Sequence, residues 1–540
     1  MKKNKLYLSI GAVIAILVIF AAAMSFSSTS RAADELVVAG AFGHSGEPEG
    51  GFDPINGWAT TTEPLIQSTL FKRDNTSLVN DLATNYSVSS DGLTWTVKIR
   101  NDVKFTDGVP LTAKDVAFTF NKAADSTGGM DLSMLNNATA LDNTTVQFKL
   151  NDPQSTFIYK LMGLGIVPEH AYNNETYGSQ PIGSGPYKFV QWDKGQQVIL
   201  ERNDEYYGKK PYFKKITILF MKSDAAFAAA KAGQVDIAEI PDSYANQTVN
   251  GMKSISLDSI DARGISFPML TDTGKKTDDN YTIGNNVTSD AAIRNALNIG
   301  IDRQALINGA LNGQGSEEFT GVDRLPFGNK AAVFKDGNTT GAREILAEGG
   351  WKDTDNDGIV EKNKIKAEFT LLYPSNDQTR QALAVSVAEQ AQKLGIKINI
   401  EGKSWDEIDT LAYSTPVLWG YGSIDPTDVY LRYYSVRSGS GENSKYNNVI
   451  FYNNSEVDKN LRKAMTTFNN NSNNYWKAAA WDGTTGYSEK GNATWLWMAT
   501  LKYVYIMKDD LDIGTPGLQP HGSDIFNNIY DWKRTENQTS

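Results

Sequence analysis

The sequence contains no cysteine. Disulfides, thiolate metal sites, thiol nucleophiles and a lipid-modified bacterial cysteine are therefore excluded. Histidine is almost as scarce: His44, His170 and His521 are the only three, each far from the others along the chain. Positive charge is not in surplus either, because 52 Lys and Arg stand against 63 Asp and Glu, for a formal net charge of −11. No basic patch is available to neutralise phosphates, so nucleic acid is not a partner. Long-range attraction of an anionic substrate is weakened for the same reason. The chain also lacks a GxSxG elbow, an HExxH helix and a GxxxxGK[ST] or GxGxxG phosphate loop. An exported hydrolase on this sequence would have to be a carboxylate-pair glycosidase.

What is present starts with a leader. Lys2, Lys3 and Lys5 precede Leu6 to Phe26, an uncharged and mostly apolar run, followed by SSTSRAADE. The basic flank and apolar centre are those of a secretory signal. The run is also close to the ~20 residues needed to span a bilayer. Residues 1–33 are thus either a cleaved signal peptide or a retained membrane anchor, and in both cases the remainder is exported. Roughly a dozen Asn-x-Ser/Thr triplets, among them Asn85, Asn143, Asn246, Asn286 and Asn492, suit a glycosylated surface protein, although a chain rich in Asn, Ser and Thr makes many by chance. With 540 residues, 40% of them hydrophobic, there is length for two or more lobes with large cores.

The stretch from Leu82 to Asn121 organises the rest. Leu93, Trp95, Val97 and Ile99 alternate with Thr94, Thr96 and Lys98, which predicts a half-buried strand. Asp91-Gly92 and Asp107-Gly108 mark tight turns, and Thr112 with Asp115 predicts a capping box opening a helix. Val146, Phe148 and Leu150 predict another strand. Two strand-helix-strand units follow, over Ile216 to Ile240 and Ala367 to Ile400, each implying parallel pairing through a right-handed crossover. Ser404 and Glu407 predict a second capping box. Asp353, Asp355, Asp357 and Gly358 read as the first half of a calcium loop, but position twelve, where a bidentate Glu belongs, is Lys364. The alternatives are a calcium site at Asp353–Asp357 and a plain acidic turn.

The run LATNYSVSSDGLTWTVKIRNDVKFTDGVPLTAKDVAFTF closely resembles the signature of the family-5 extracytoplasmic solute-binding proteins, the peptide and nickel receptors of ABC importers. Leu82-Ala83, Asp91-Gly92, Ile99-Arg100, Val103 to Phe105, Asp107-Gly108 and Pro110 to Val116 fall in register with it, while Tyr86 stands where the family has Trp. Further echoes are IVPEH ending at His170, which marks that histidine as a turn residue, PIGSGPY ending at Tyr187, and AAFAAAKAGQVDIA. The segment from Ser289 to Gly315 also resembles the family, where Arg294, Asp302 and Arg303 are structural.

The resemblance implies an α/β, two-lobed periplasmic-binding-protein-like fold (type II, cluster C) with an extra subdomain in lobe one. Lobe one would hold residues 34–288, with the subdomain at about 85–180, and regain the chain at 501–540. Lobe two would hold 289–500. It also implies a monomeric receptor that needs no cofactor, closes on a small solute, and serves an ABC permease and ATPase at the cell surface.

The cleft residues this implies are Trp58, Thr61, Glu63, Tyr187, Trp405, Trp419, Tyr421 and Asp425. Trp495 and Trp497 are expected in a buried wall. Peptide receptors of the family hold the ligand's ammonium with an Asp four residues before the proline of the Asp-Pro pair. Here that position is Gly422, so peptide binding requires a relocated carboxylate, Glu63 or Asp425 for instance. A nickel chelate is the second ligand reading, with His44 and His521 as possible direct ligands. A surface sensor or adhesin on the same scaffold is the third functional reading.

Overall fold

The computed structural model describes residues 32–40, 47–48, 50–60, 62–126, 129–437 and 447–535. Residues 1–31 of the leader, His44 and Thr61 lie outside the described residues, and among those described no helix is long and apolar enough to cross a membrane. Fifteen strands build the two principal sheets. They are β1 (Glu35–Ala39), β2 (Ala83–Val88), β3 (Thr94–Ile99), β4 (Leu135–Ala140), β5 (Thr145–Leu150), β6 (Tyr187–Asp193), β7 (Gln197–Arg202) and β8 (Lys215–Leu219). The remainder are β9 (Ile237–Glu239), β10 (Met252–Ser266), β11 (Gly315–Glu317), β12 (Glu368–Pro374), β13 (Lys397–Lys403), β14 (Val417–Tyr421) and β15 (Trp495–Lys508). The helices that matter below are α1 (Ala113–Ala124), α2 (Phe157–Gly163), α3 (Ser223–Lys231), α4 (Ala291–Gly300), α5 (Arg303–Ala310), α6 (Gln378–Gln392), α7 (Trp405–Leu411), α8 (Thr427–Tyr433) and α9 (Ser455–Met465).

The smaller sheet runs β2-β3-β5-β4, wholly antiparallel. Its inward residues Trp95, Val97 and Ile99 are buried with Val146, Phe148 and Leu150, as the alternation predicts. Each such side chain contributes roughly 1.5–3 kcal/mol on leaving water. Helix α1 covers this face through Val116 and Phe120, and the Thr112–Asp115 capping box is formed. Asp115 also accepts the Glu169 N–H at 3.0 Å, which ties the IVPEH turn to the helix start.

The larger sheet has eleven strands, in the order β13-β12-β14-β10-β15-β9-β1-β8-β7-β6, with β11 on the side of β15. The second strand-helix-strand unit behaves as read: β12 and β13 are parallel neighbours joined through α6. The first differs. β8 and β9 do not pair with each other, because β1 lies between them and is parallel to both. The crossover helix α3 therefore spans two strand widths, and the apolar Val37 and Val38 of β1 fill the gap that the local pattern cannot reveal.

Arg294, Asp302 and Arg303 hold structure. Arg294 donates to the carbonyls of Thr288, Ser289, Asn492 and Ala493, and burial pulls its guanidinium down to about 10. Asp302 caps α5, while the fully buried Arg303 pairs with Asp336 at 3.0 Å.

Candidate functional site

The smaller sheet's domain meets the α8–α9 region across a seam, and the seam is polar. Helix α2 follows β5 and brings Thr156 and Lys160 to it, while the Asp425-Pro426 turn opens α8 on the other side. The Lys160 ammonium stands 3.3 Å from Asp425, and the Thr427 hydroxyl donates to Thr156 at 2.8 Å. Ser155 donates its N–H and hydroxyl to the carbonyls of Met465 and Ala464 at the end of α9. Burial lowers the Lys160 ammonium, but Asp425 and Asp428 outweigh that and hold it above its ordinary value. Tyr159, half-buried near Asp425, is pushed up to about 12 by loss of solvent and by that carboxylate.

Behind this seam lies a file of aromatic rings. Trp405, at the start of α7 and exposed, stacks on Trp419 at 5.6 Å between centroids. Trp419 in turn tilts against Tyr421 at 6.2 Å, and Tyr421 meets Trp495 edge-on at 5.7 Å. Trp495 and Trp497 are stacked and buried, the wall expected of them. The guanidinium of Arg432 lies over Tyr421 at 3.8 Å, with Trp497 at 5.2 Å and Trp495 at 5.6 Å.

A buried ionic cluster supports the far side. Asp261 of β10 takes Arg263, accepts the Tyr503 hydroxyl at 2.9 Å, and contacts His521 Nδ1 at 2.7 Å. Gly420 on β14 is required by this cluster, since a Cβ there would meet the guanidinium nitrogens of both Arg263 and Arg380 at 2.6 Å. Burial and the neighbouring Arg263 pull Arg380 down to about 10.

The expected cleft residues divide accordingly. Trp405, Trp419, Tyr421 and Asp425 are brought together, but Trp419 does not present a surface. It is buried behind Trp405, with Nε1 donating to Ser266 at 3.0 Å. Tyr187 is a correction: it sits fully buried in the core around β1, its hydroxyl donating to the Phe213 carbonyl at 3.0 Å. The glycines before it explain the inward path, because a Cβ on Gly183 or Gly185 would strike the backbone of Ile66 or Leu65. Trp58 is half-buried against Phe52 at 4.9 Å. Glu63 neighbours Lys72, Arg73 and Asp524, and burial raises it above the usual carboxylate range. It is thus committed to a local cluster and not to the seam.

Gly422 is filled by the fold itself. A Cβ there would lie 2.4 Å from the Ile260 carbonyl oxygen, and its own carbonyl accepts the His521 N–H. The anchoring carboxylate of the peptide receptors has no room at this position. Asp425, one proposed substitute, is already paired with Lys160. Sequence reasoning passed over Lys160, Asp428 and Arg432. The last two were detectable as an acid and a base four apart after Asp-Pro.

The metal candidates are placed as follows. His170 contacts Asp107 at 2.7 Å and serves the turn. Oxygens of Asp353, Asp355 and Glu361 lie within 4.8 Å of one another. Asp357 does not join them but pairs with Lys366, whose ammonium also contacts Asp355 at 2.9 Å. That ammonium supplies a positive charge inside the turn itself.

The family described as bacterial extracellular solute-binding proteins, family 5 Middle, matches residues 77–444. Protein XP55 of Streptomyces lividans is 30% identical over 80% of this chain and 78% of its own. The oligopeptide-binding protein AppA of Bacillus subtilis is 27% identical over 86% and 89%. The solved structure of NikZ from Campylobacter jejuni in complex with Ni(L-His) superposes with a TM-score of 0.75 at 26% identity, over 93% of this chain and all of that one. With the two-sheet fold and the polar seam already described, these likenesses place the chain: it belongs to the family-5 extracellular solute-binding proteins.

Proposed function

We infer that the protein is the extracytoplasmic binding component of an ABC importer, capturing a short peptide or similar small polar solute by lobe closure and handing it to a membrane permease. The observation that carries this reading is the seam joining α2 to α8, where Lys160–Asp425 and Thr156–Thr427 bridge two bodies in front of an aromatic wall. Contacts of this kind suit a closed state that ligand would stabilise over an open one. A micromolar ligand needs ~8 kcal/mol of net binding energy, within reach of a closed aromatic site.

Native mass spectrometry of protein from its own source, paired with elemental analysis, tests this. A ladder of peptide masses without metal supports a peptide receptor. Release of no small molecule from any preparation, with no uptake defect when the protein is removed, points to a sensor or adhesin instead.

A nickel chelate as cargo is the second reading, favoured by His521. With Nδ1 held on Asp261, its Nε2 is the ring nitrogen left to ligate, the arrangement in which a carboxylate orients a metal-binding imidazole. One discrete adduct with stoichiometric nickel supports this reading. The apolar leader would hold the receptor at the membrane or direct its export. The exposed Asn85, Asn143, Asn246 and Asn286 would accept glycans.

A further inference from the structure

The Asp91-Gly92 turn does more than join β2 to β3. Gly92 stands at the tip of that hairpin with φ +73°, where a residue normally meets water, yet it is buried. Phe468, just beyond the end of α9, and Pro153 cover it. A Cβ on Gly92 would lie 2.6 Å from the Phe468 ring and 3.0 Å from Pro153 Cβ. The same ring tilts against Trp95 with 6.0 Å between centroids, and Tyr86 stacks on that indole at 5.6 Å. Phe468 is itself 39% exposed, so it rests on its neighbours and is not enclosed by a core.

The end of α9 is tied down beside this seat. Met465 closes the helix, and the last carbonyls of a helix have no partner further along it. Ser155 reaches them from the other side of the seam, its N–H donating to Met465 at 2.6 Å and its hydroxyl to Ala464 at 3.0 Å. All these contacts join the smaller sheet's domain to the α8–α9 region, and none involves the aromatic file or the Lys160–Asp425 pair. Each is also of a kind that water can replace. Carbonyls at a helix end are readily hydrated, and a half-exposed ring leaving a glycine uncovers little apolar surface.

We propose that the tip of α9 is a latch for closure: Phe468 drops into the notch at Gly92 as the two bodies meet, and so sets how long ligand is held without touching it. The proposal rests on the receptor reading above and makes Phe468 a positioning residue. An interaction made only in the closed form raises the affinity for every ligand by one factor, whereas a contact to the ligand itself discriminates among ligands. A permanent interface would contribute to stability and leave closure unchanged.

The absence of cysteine makes the test clean, because Lys149→Cys and Lys459→Cys supply two labels with no background. Both positions are exposed and lie on opposite sides of the seam, on β5 and α9. Electron–electron double resonance on the full chain would read the interval between spin labels. The protein is first dialysed free of small solutes, then given a tryptic digest of casein or nickel with L-histidine. Calorimetry on the same samples reports binding.

The solute-free protein should show a short and a long interval, and the probe that binds should enrich the short one. Phe468→Ala should lower the short-to-long ratio about fivefold and weaken that probe by the same factor, chiefly through faster dissociation. Phe468→Leu keeps an apolar side chain over Gly92 and should recover most of both. A ratio in Phe468→Ala equal to that of the wild type overturns the latch and leaves the receptor reading standing. So does a single short interval in the solute-free wild type that a bound probe does not alter. Binding of neither probe by the wild type overturns both receptor readings and the latch with them.

Discussion

At the scale of single residues, the fold is most exacting where backbone meets backbone. Gly422 has its Cβ position 2.4 Å from the Ile260 oxygen, so Gly422→Ala should cost about 1–3 kcal/mol, measurable by thermal or denaturant unfolding. Gly422→Asp should be no better and should not improve peptide binding. Asp524 makes a different demand. Burial pushes its carboxyl up to about 7, with Glu63 adding to the rise and Arg73 opposing it. A group raised in the folded state stabilises fully below its unfolded value near 4, and that contribution is lost as pH rises through about 7. Asp524→Asn should therefore gain stability relative to wild type by a few kcal/mol between pH 4 and pH 8, read from parallel unfolding curves. Among the sequons, Asn492 differs from the exposed ones, because its Oδ1 accepts from Tyr452 at 2.8 Å and Asn454 at 2.9 Å. Peptide mapping of native protein should find any glycan at Asn85 or Asn246 and none at Asn492.

At the scale of elements, the seam between α2 and α8 is the part that should respond to charge. Lys160→Met leaves the buried Asp425 without its counter-charge, and ligand affinity should fall about tenfold, or ~1.4 kcal/mol. Adding Asp425→Asn should recover part of the loss, since the stranded carboxylate is then removed. Titration of both variants against one ligand decides this.

The same scale shows what could be read beforehand. The boxes at Thr112–Asp115 and Ser404–Glu407 close within one helical turn, so local chemistry announces them. The alternation of Trp95, Val97 and Ile99 is equally local. The insertion of β1 between β8 and β9 is not, because it depends on which apolar edges remain open after both have formed. Tyr187 lies in the core for a related reason: a glycine-rich loop looks like a cleft border, whereas here the glycines let it press against Leu65 and Ile66. Asp428 and Arg432 have visible helical spacing, but nothing near them in sequence shows that rings from β14 and β15 pack around Arg432.

At the scale of the whole molecule, β10 and β15 are the long strands of the larger sheet and pair along most of their length. β15 also takes β9 on its other side and β11 beside it. Its residues Leu496, Met498 and Tyr503 share one apolar core with Val38 of β1 and Leu371 of β12. This has a consequence for the order in which the molecule can be made. The strand that joins both halves of the sheet begins at Trp495, so neither half can close until nearly all of the chain has been synthesised. At about 5–20 residues per second, that takes on the order of half a minute to two minutes. Through that interval the larger sheet lacks its middle strand, while the smaller sheet already has all of its own. A chain ending before Trp495 should therefore remain protease-sensitive throughout the larger sheet while the smaller sheet, complete by Leu150, resists digestion.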